Sequence, residues 1–520
     1  MTDRAPLELP NWLDIASRNH PDKLALEFGA ERWTYSELRQ RVEATAATLA
    51  RSMSEQPGRI GILSANRPGF VVAVHAATRL GIPFVPLNWR LSDAELTWQL
   101  QDAGITLVIA DDARPTIAET ARADQGIMVI PIAALEHQPP ARAPSPIAMG
   151  EGLGVRVNSE AAVLYTSGTS GRPKGAILTY GNLWSSAIAS ALHLGHHTDD
   201  IWLATMPLFH IGGLSILMRS AIGAVPVILH DRFDPHWALD AIDSGVTLVS
   251  LVPTMLERML DIRGQHPWPA HFRCILLGGS AAPPALLETC RRLNIPIAPT
   301  YGLTEAASQV TTLLPDRVSD RPGSSGLPLP LTQLRIASVE GEAPPGEIGE
   351  IEIRGPTLFN GYLGDPRPRT PDDWFATGDV GYLDDDGYLY VVDRRDDLIV
   401  SGGENIYPAE IERVLRAHPL VSDAGVCGVP HESWGARPVA AVIWHGDPAV
   451  AETELRRFCA RELPSYKLPD RFALVTELPR TPSGKLIRRT LAEHITPTPV
   501  PPPPKKAPLS RVPRERGFGG

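Results

Sequence analysis

The stretch Tyr165–Gly175 reads Tyr-Thr-Ser-Gly-Thr-Ser-Gly-Arg-Pro-Lys-Gly and governs the interpretation of the whole chain. It follows the apolar run Ala161–Leu164, which predicts a buried strand. Its glycines let the backbone approach a ligand closely, its hydroxyls donate hydrogen bonds, and Lys174 adds a positive charge. No Gly-Lys-Ser/Thr closes the stretch, so it is not the P-loop pattern. Taken alone, it fits a phosphate-binding loop and a surface loop of turn-forming residues equally well.

The composition describes an ordinary globular protein with more than one domain. The chain has 520 residues, of which 43% are hydrophobic and 21% are charged. Its net charge of −10 argues against a nucleic acid or an anionic membrane as the main partner. The four cysteines are far apart and favour a reducing compartment. With no apolar signal segment and no apolar run of about 18–20 residues, we expect a cytoplasmic protein without integral membrane association.

Strand-like and helix-like patterns alternate along most of the chain and predict doubly wound α/β layers with a mainly parallel sheet. Ile60–Leu63, Leu107–Ala110 and Cys274–Leu277 are short apolar runs typical of buried strands. Trp33–Leu38 is interpreted as the end of a strand followed by a helix that Ser36 caps. Such sheets bind ligands at the carboxyl ends of their strands, which suits a binding loop directly after Leu164.

The pattern of apolar and turn-forming residues changes towards the C-terminus. From about residue 325 to 390, short alternating runs with frequent Gly, Pro and Asp predict antiparallel β-structure, interpreted as a small β-barrel-like subdomain. The charged run Asp393–Asp397 indicates a joint between domains. We therefore predict a large N-terminal domain (1–395), a small mobile α+β C-terminal domain (396–495) and a disordered, proline-rich basic tail (496–520).

Five motifs occur in the order and spacing of the adenylate-forming acyl-CoA synthetase family, which the chain resembles from about residue 10 to 495. They are Tyr165–Gly175, Tyr301–Glu305, Trp374–Asp379, Ser401–Asn405 and Pro482–Lys485. The resemblance implies two half-reactions: a carboxylate attacks the α-phosphorus of ATP to give an acyl-adenylate and pyrophosphate, and coenzyme A then displaces AMP to give a thioester. Because the first step joins two anions, catalysis must come from charge neutralisation and positioning.

The resemblance assigns the phosphate contacts to the opening stretch and to Glu305. The loop residues expected to wrap the phosphates are Thr166, Ser167, Gly168, Thr169, Ser170, Gly171 and Lys174. Glu305, together with Thr166, would hold Mg²⁺, a hard cation that prefers oxygen ligands. Thr304 would donate a hydrogen bond to the α-phosphate.

The resemblance also implies where the nucleoside binds. Tyr301, followed by Gly302, would stack on the adenine. The base edge would lie against residues whose small size admits it, namely Gly278, Gly279 and Ser280. Asp379 would accept hydrogen bonds from both ribose hydroxyls, as an ionised carboxylate can, with Arg394 alongside.

The small C-terminal domain is expected to rotate between the half-reactions. Lys485 would reach the carboxylate and the α-phosphate in the first, and Asp396 matches the hinge position. In the second, Gly402 and Gly403 would line the pantetheine tunnel. One departure from the family pattern is Ala436, which stands where many relatives carry a polar residue.

The acid is indicated by the middle of the chain, which resembles the o-succinylbenzoate–CoA ligases of menaquinone biosynthesis. The matching segments are Met206–Ser215 with Arg219, Leu251–Leu256, Ile275–Pro283, Glu305–Gln309 and Asp393–Glu410. The substrate of that subfamily is an aromatic keto acid with two carboxylates, only one of which is activated. Since a buried carboxylate without a partner is costly, the other needs a cation.

Arg219 is the candidate for that cation, although a surface position on a helix is an equally good interpretation of this residue. His210, with Ser308 or Gln309, would supply polar lining for the acid. His210 would alternatively hold the loop in shape or gate the acyl channel, and it counts among the candidate catalytic residues.

Other functions remain open at this level. Pro86–Leu91 is common in medium- or long-chain fatty acyl-CoA ligases, which need an apolar tunnel and no partner for a second carboxylate. A module that loads a carrier protein is a further alternative, as is a binding protein without activity, although Lys485, Glu305 and Asp379 disfavour the latter. The expected partners are a small carboxylic acid, ATP and coenzyme A. A homodimer is compatible with the sequence.

Overall fold

The computed structural model describes most of the chain. The described residues are 7–53, 58–111, 117, 121, 126–136, 154–166, 173–280, 282, 284–338, 341–365, 370, 372–394, 399–406, 408–479, 491–492 and 495. Several predictions fall outside them, including the tail beyond residue 495. None of the helices in the described ranges combines the length and the apolar character that a membrane span requires.

The strands are numbered β1 to β27 along the described chain. Their bounds are β1 Glu8–Leu9, β2 Leu24–Phe28, β3 Glu31–Thr34, β4 Arg59–Leu63, β5 Phe84–Leu87, β6 Ile105–Ala110, β7 Met128–Pro131, β8 Val155–Arg156, β9 Glu160–Thr166, β10 Lys174–Thr179, β11 Trp202–Ala204, β12 Val227–Leu229, β13 Leu248–Leu251, β14 Cys274–Leu277, β15 Ile297–Leu303, β16 Ser308–Thr312, β17 Leu327–Pro328, β18 Gln333–Ser338, β19 Gly341–Glu342, β20 Gly349–Arg354, β21 Phe375–Leu383, β22 Leu389–Arg394, β23 Ile399–Ser401, β24 Glu404–Ile406, β25 Val421–His431, β26 Gly435–Trp444 and β27 Arg471–Leu474.

The helices of the described residues are numbered α1 to α12. Their bounds are α1 Trp12–Asn19, α2 Tyr35–Met53, α3 Pro68–Leu80, α4 Asp93–Asp102, α5 Ala133–Glu136, α6 Tyr180–Leu194, α7 Ile211–Gly223, α8 Pro235–Asp243, α9 Pro253–Arg263, α10 Pro284–Arg292, α11 Pro408–Arg416 and α12 Pro448–Glu462. Short 3-10 turns lie at Thr304–Ala306, Pro315–Arg317 and Ser465–Lys467.

Two large sheets form the N-terminal domain and confirm the doubly wound α/β prediction. One has six strands in the order β10-β9-β5-β4-β6-β7, parallel except where β10 returns against β9. The other has nine strands in the order β17-β16-β15-β14-β13-β11-β12-β2-β3 and is parallel from β15 to β2. The strands β5, β13 and β14 are buried along their whole length, as expected where helices cover both faces of a parallel sheet.

Helix α2 begins at Tyr35, two residues earlier than a Ser36 cap requires, so the prediction for Ser36 is wrong. The Glu37 backbone N–H donates to the Thr34 hydroxyl at 3.2 Å, and the Thr34 N–H donates to the Glu37 carboxylate at 2.8 Å. This reciprocal capping box needs an acid three residues after the cap. Thr34 has Glu37 at that position, whereas Ser36 lies within the first turn.

A third sheet carries the antiparallel structure predicted for residues 325 to 390. Its order is β19-β18-β20-β21-β22, and all its pairings are antiparallel. Ile336, Ile351 and Ile353 are buried and attach it to the main core. Strand β21 carries Asp379 opposite the backbone of Arg394.

The small C-terminal domain has its own sheet and core, as the α+β prediction requires. The order is β24-β23-β26-β25, with β27 parallel to β26 on the other side. Helices α11 and α12 bury Ile411, Leu415 and Leu455 against this sheet. The domain therefore packs as a separate unit, joined to the rest through polar contacts described below.

Candidate active site

Glu305, one of the residues predicted to bind the phosphates and Mg²⁺, lies in the 3-10 turn that follows β15. Its Oε1 accepts a hydrogen bond from the Tyr362 hydroxyl at 2.8 Å and one from the Thr166 hydroxyl at 3.4 Å. Burial raises the pKa of Glu305, and these two hydrogen bonds oppose the rise. Because a buried carboxylate is stabilised by a cation, the position fits Mg²⁺ bound between Glu305 and phosphate oxygens.

Lys174 lies at the start of β10. Thr166 and Lys174 are cross-strand partners at the loop end of the β9–β10 hairpin. The Lys174 ammonium lies 5.2 Å from the centroid of the Tyr362 ring. The hairpin thus brings a hydroxyl and a cation to the carboxyl end of a buried strand, where an anionic ligand is expected. The residues between them, Ser167, Gly168, Thr169, Ser170 and Gly171, lie outside the described ranges, so their roles stay predictions.

Tyr362 is a site residue that the sequence motifs did not reveal. It follows Asn360 and Gly361, a turn-forming pair too common to indicate a site. The structure places it there because Ala176 of β10 forms an isolated bridge with Tyr362. Its hydroxyl orients Glu305, while its ring packs under Lys174.

The nucleoside residues of the prediction meet at one place. The Tyr301 hydroxyl donates to the Asp379 carboxylate at 2.7 Å, which joins the end of β15 to β21. A Cβ atom added to Gly278 would lie 2.7 Å from the Thr300 side chain, so only glycine fits there. Gly302 is similarly confined by the Ser308 carbonyl. The geometry therefore suits a base and a ribose held between these elements.

Thr304 and Ser280 flank this arrangement. Thr304 is the first residue of the 3-10 turn that carries Glu305, and its carbonyl accepts from the Ala307 N–H. Ser280 follows Gly279 at the carboxyl end of β14 and is partly buried. The side chain of Arg394 is outside the described part of the chain, so only its backbone position opposite Asp379 is established.

Arg219 is buried inside the N-terminal domain, which excludes its interpretation as a surface helix residue. Only 6% of Arg219 is exposed. Its Nη2 donates to the Gln309 side-chain oxygen at 2.8 Å, and its guanidinium lies over the Trp202 ring at 5.0 Å. Its Nε and Nη1 have no hydrogen-bond partner among the described residues. Burial lowers the pKa of Arg219 to about 10, so the side chain is charged at neutral pH.

The polar residues predicted around Arg219 divide into two groups. Gln309 contacts Arg219 directly and donates to the Thr312 hydroxyl at 2.7 Å, which fixes the orientation of its amide. Ser308 precedes it with a φ of 120°, an unusual conformation for a residue with a side chain. His210 lies elsewhere: it caps the start of α7, about 13 Å along the helix axis from Arg219.

His210 faces the C-terminal domain. Its Nε2 lies 3.3 Å from one Glu404 oxygen, and Arg90 donates to the other at 2.8 Å. Burial opposes the ionisation of Glu404, but His210 and Arg90 together hold the pKa of this carboxyl below its ordinary value. The structure therefore places His210 at the domain interface and away from Arg219, and its gating role stays a prediction. Glu404 and Arg90 are contacts between domains that the sequence motifs did not predict.

Gly402 and Gly403 lie at the same interface. Gly403 has a φ of +87°, and a Cβ atom there would lie 3.0 Å from Val252 of the N-terminal domain. A Cβ atom on Gly279 would lie 3.0 Å from the same valine. Gly402 packs as closely against Trp434. Glycines from both domains thus pack against Val252, and the pantetheine tunnel expected at Gly402 and Gly403 stays a prediction.

Two predicted residues, Lys485 and the hinge Asp396, lie outside the described ranges. Their roles are carried by their motifs alone and stay predictions.

Comparisons with known proteins show the family of the chain. Residues 13–363 match the family of AMP-binding enzymes, and residues 410–485 match the AMP-binding enzyme C-terminal domain. The 2-succinylbenzoate–CoA ligase of Bacillus mycoides (strain KBAB4) is 40% identical over 493 residues, which cover 94% of this chain and 99% of the relative.

Solved structures of o-succinylbenzoate CoA synthetase from Bacillus subtilis are also similar, at 38% identity. A double mutant bound to a product analogue gives a TM-score of 0.86 and covers 94% of this chain and 99% of that chain. The complex with the acyl-adenylate intermediate gives 0.70 and covers 93% and 98%. The complex with ATP and magnesium ion gives 0.69 and covers 94% and 100%. The chain belongs to the AMP-binding enzyme family.

Proposed function

We propose that this chain is an AMP-forming acid–thiol ligase that activates o-succinylbenzoate with ATP and transfers it to coenzyme A, in menaquinone biosynthesis. The reaction class is supported by the site geometry and by the family, whose B. subtilis member has been solved with ATP and magnesium and with the acyl-adenylate. The observation that carries the choice of acid is the buried Arg219, with two N–H groups that lack a partner among the described residues.

In the first half-reaction the protein must bring two anions together. Thr166, Lys174 and Glu305 form the phosphate end of the site, and Tyr301 with Asp379 forms the nucleoside end. Mg²⁺ bound at Glu305 would neutralise part of the phosphate charge. Lys485, by its motif, adds a positive charge at the α-phosphate. This positions the acid for in-line attack while water is kept from the site.

Arg219 distinguishes the candidate acids. A fatty acid has no group that would pair with a buried guanidinium, so this charge would stay unpaired in an alkyl tunnel, at a cost of several kcal/mol. A second carboxylate on the substrate would accept from the guanidinium in a charge-assisted, bidentate contact. Gln309 holds the guanidinium in place from the other side at 2.8 Å. A dianionic acid therefore suits the surroundings of Arg219 better than a fatty acid does.

For the second half-reaction the C-terminal domain must leave the carbonyl open to the thiol. We infer that the arrangement described here is the thioester-forming one. This is supported by the higher TM-score with the product-analogue structure, 0.86, than with the acyl-adenylate structure, 0.70. It is also supported by Gly403 packing against Val252 and by Glu404 reaching His210.

The remaining expectations concern the setting of the enzyme. The four cysteines are free and buried, which agrees with a reducing compartment, and we propose a cytoplasmic location. Binding of a small acid, ATP and coenzyme A needs no nucleic acid. A homodimer stays a prediction that sedimentation or light scattering would decide.

The test is ATP–pyrophosphate exchange by the purified chain, with o-succinylbenzoate and with fatty acids of graded length as alternative acids. We expect exchange with o-succinylbenzoate, and loss of at least about a hundredfold in the Lys485→Ala control, since this lysine acts on the developing charge. Exchange that is faster with an alkyl acid would overturn the proposed substrate but keep the reaction class. Exchange with no acid would overturn both.

A further inference from the structure

Helix α4 of the N-terminal domain meets the C-terminal domain through a buried carboxylate. Glu95 lies in the first turn of α4, where its N–H donates to the capping hydroxyl of Ser92. The Ser92 hydroxyl itself donates to the carbonyl of Glu462 at the end of α12. The side chain of Glu95 is 10% exposed, although glutamate in a helical first turn is ordinarily solvated.

The group that buries Glu95 is an ion pair of the C-terminal domain. Lys467 lies 2.7 Å from Glu410, with side-chain exposures of 4% and 5%. The Lys467 ammonium lies 3.6 Å from Glu95 Oε1, which is too far for an ordinary hydrogen bond. Neither Glu95 oxygen has a hydrogen-bond partner among the described residues. Two carboxylates thus share one ammonium, and Glu410 holds it more closely.

We propose that Glu95 is a positioning residue for the thioester-forming half-reaction. When the C-terminal domain docks on α4, Glu95 joins the Lys467–Glu410 pair and takes up a proton. The inference rests on the proposed function, because it needs two half-reactions with different domain arrangements. Glu95 acts through the docked domain and touches no reacting atom.

Burial favours the protonated form of Glu95, whereas the charges around it act in both directions. Lys467 from the 3-10 turn and Arg413 from α11 attract its negative charge, whereas Glu410 from α11 repels it. Lys467 also faces Glu404 of β24, so its single charge is divided among three carboxylates. The phenol of Tyr466 is buried beside the same carboxylates. Burial is the largest effect, and it raises the pKa of Glu95 to about 7.

Glu95 has a different pKa in the docked and the undocked state, and this difference makes docking depend on pH. Glu95 freed from the interface would ionise near the ordinary value of about 4.3 for glutamate. Its pKa is higher in the docked state, so docking binds a proton and is favoured at low pH. Docking weakens as pH rises, and the change ends once the pH has passed the pKa of Glu95 in the docked state, which is about 7. Between pH 6 and 8.5 the docking equilibrium should fall by about tenfold.

The matched variants are Glu95→Gln, which is neutral at every pH, and Asp93→Asn. Asp93 is an exposed acid in the same first turn, so its replacement tests the effect of removing a carboxylate from the helix N-terminus outside the buried contact. Each protein is loaded with o-succinylbenzoate, ATP and Mg²⁺ to form the bound acyl-adenylate and is then mixed with coenzyme A. Single-turnover thioester formation is measured from pH 6 to 8.5. Dividing each variant's rate by the wild-type rate at the same pH cancels the effect of thiol ionisation, which is common to both.

We expect the Glu95→Gln to wild-type ratio to rise by up to about tenfold from pH 6 to 8.5, while the Asp93→Asn ratio stays level. A level Glu95→Gln ratio, whether at unity or below it, would overturn the proposal. ATP–pyrophosphate exchange is measured on the same preparations. Absence of exchange in the wild-type protein would instead refute the proposed function, so the two failures are distinguishable.

Discussion

Glu305 is a carboxylate whose usefulness depends on its charge. Burial raises its pKa, and hydrogen bonds from the Tyr362 and Thr166 hydroxyls partly reverse the rise. Only the ionised form binds a hard cation well. The first half-reaction should therefore weaken on acidification at a pH above the range in which an exposed glutamate titrates.

Removing one hydrogen-bond donor to Glu305 should change the pH at which the first half-reaction is lost on acidification, which is the acid limb of its pH–rate profile. In Tyr362→Phe the ionised form of Glu305 loses the 2.8 Å hydrogen bond, so its pKa should rise further. The acid limb of ATP–pyrophosphate exchange should move to higher pH by up to about one unit, the equivalent of roughly 1.4 kcal/mol. Tyr382→Phe, whose ring stacks on Tyr390 in the third sheet, is the matched control. An acid limb that stays in place would show that Tyr362 does not tune Glu305.

At the level of single residues, the sequence predicted some members of the candidate site and missed others. Motif spacing located Glu305, Tyr301 and Asp379, because the chemistry of the family demands those side chains at those places. It left Arg219 undecided, since the pattern of α7 does not distinguish a buried arginine from a surface one. Tyr362 carried no motif, because its role arises from a bridge to β10 that is distant in sequence.

At the level of helices and strands, the hydrophobic pattern of the sequence predicted those elements that depend on neighbouring residues alone. The short apolar strands β4, β6 and β14 are where their sequences place them. The pairing of β2 with β12 joins Leu26 to Val227, about two hundred residues apart, and no local signal indicates it. Register and neighbour order depend on such distant contacts. The contacts between α4 and the C-terminal domain escaped prediction for the same reason.

The turn between β23 and β24 should be sensitive to any side chain. In Gly403→Ala the added Cβ would meet Val252 at 3.0 Å, in a conformation with a φ of +87° that disfavours alanine. Thioester formation should slow by roughly tenfold, about 1.4 kcal/mol, with exchange retained. Gly346→Ala is the matched control, because its φ is +83° and no atom lies within 4 Å of the added Cβ. Equal effects of the two variants on thioester formation would indicate backbone strain without a docking contact.

At the scale of the whole molecule, two domains share one reaction through a polar interface. His210 and Arg90 meet Glu404, and Glu95 meets Lys467. Interfaces of this kind can separate more readily than apolar ones. This agrees with a C-terminal domain that serves two arrangements in turn.

The proline-rich tail should contribute nothing to the first half-reaction. Residues 501–520 are basic and nearly free of apolar side chains that would pack into a core. Deleting them should leave the ATP–pyrophosphate exchange rate within about twofold of the full chain, as expected for a terminal segment with too few apolar residues to join a core. Lys485→Ala in the full chain provides the reference for a true loss. A large decrease on truncation would assign the tail a role in catalysis or folding.

The central claim is that a buried arginine selects an acid with a second carboxylate. Its most direct test compares kcat/KM for o-succinylbenzoate with that for 4-oxo-4-phenylbutanoate, which lacks only the ring carboxylate. We predict a wild-type preference of roughly a hundredfold or more for o-succinylbenzoate, about 2.7 kcal/mol, reduced to a few-fold in Arg219→Ala. Each ratio comes from one preparation, so it is independent of the fraction that folds. No preference in the wild type, or a preference that Arg219→Ala leaves unchanged, would contradict the account.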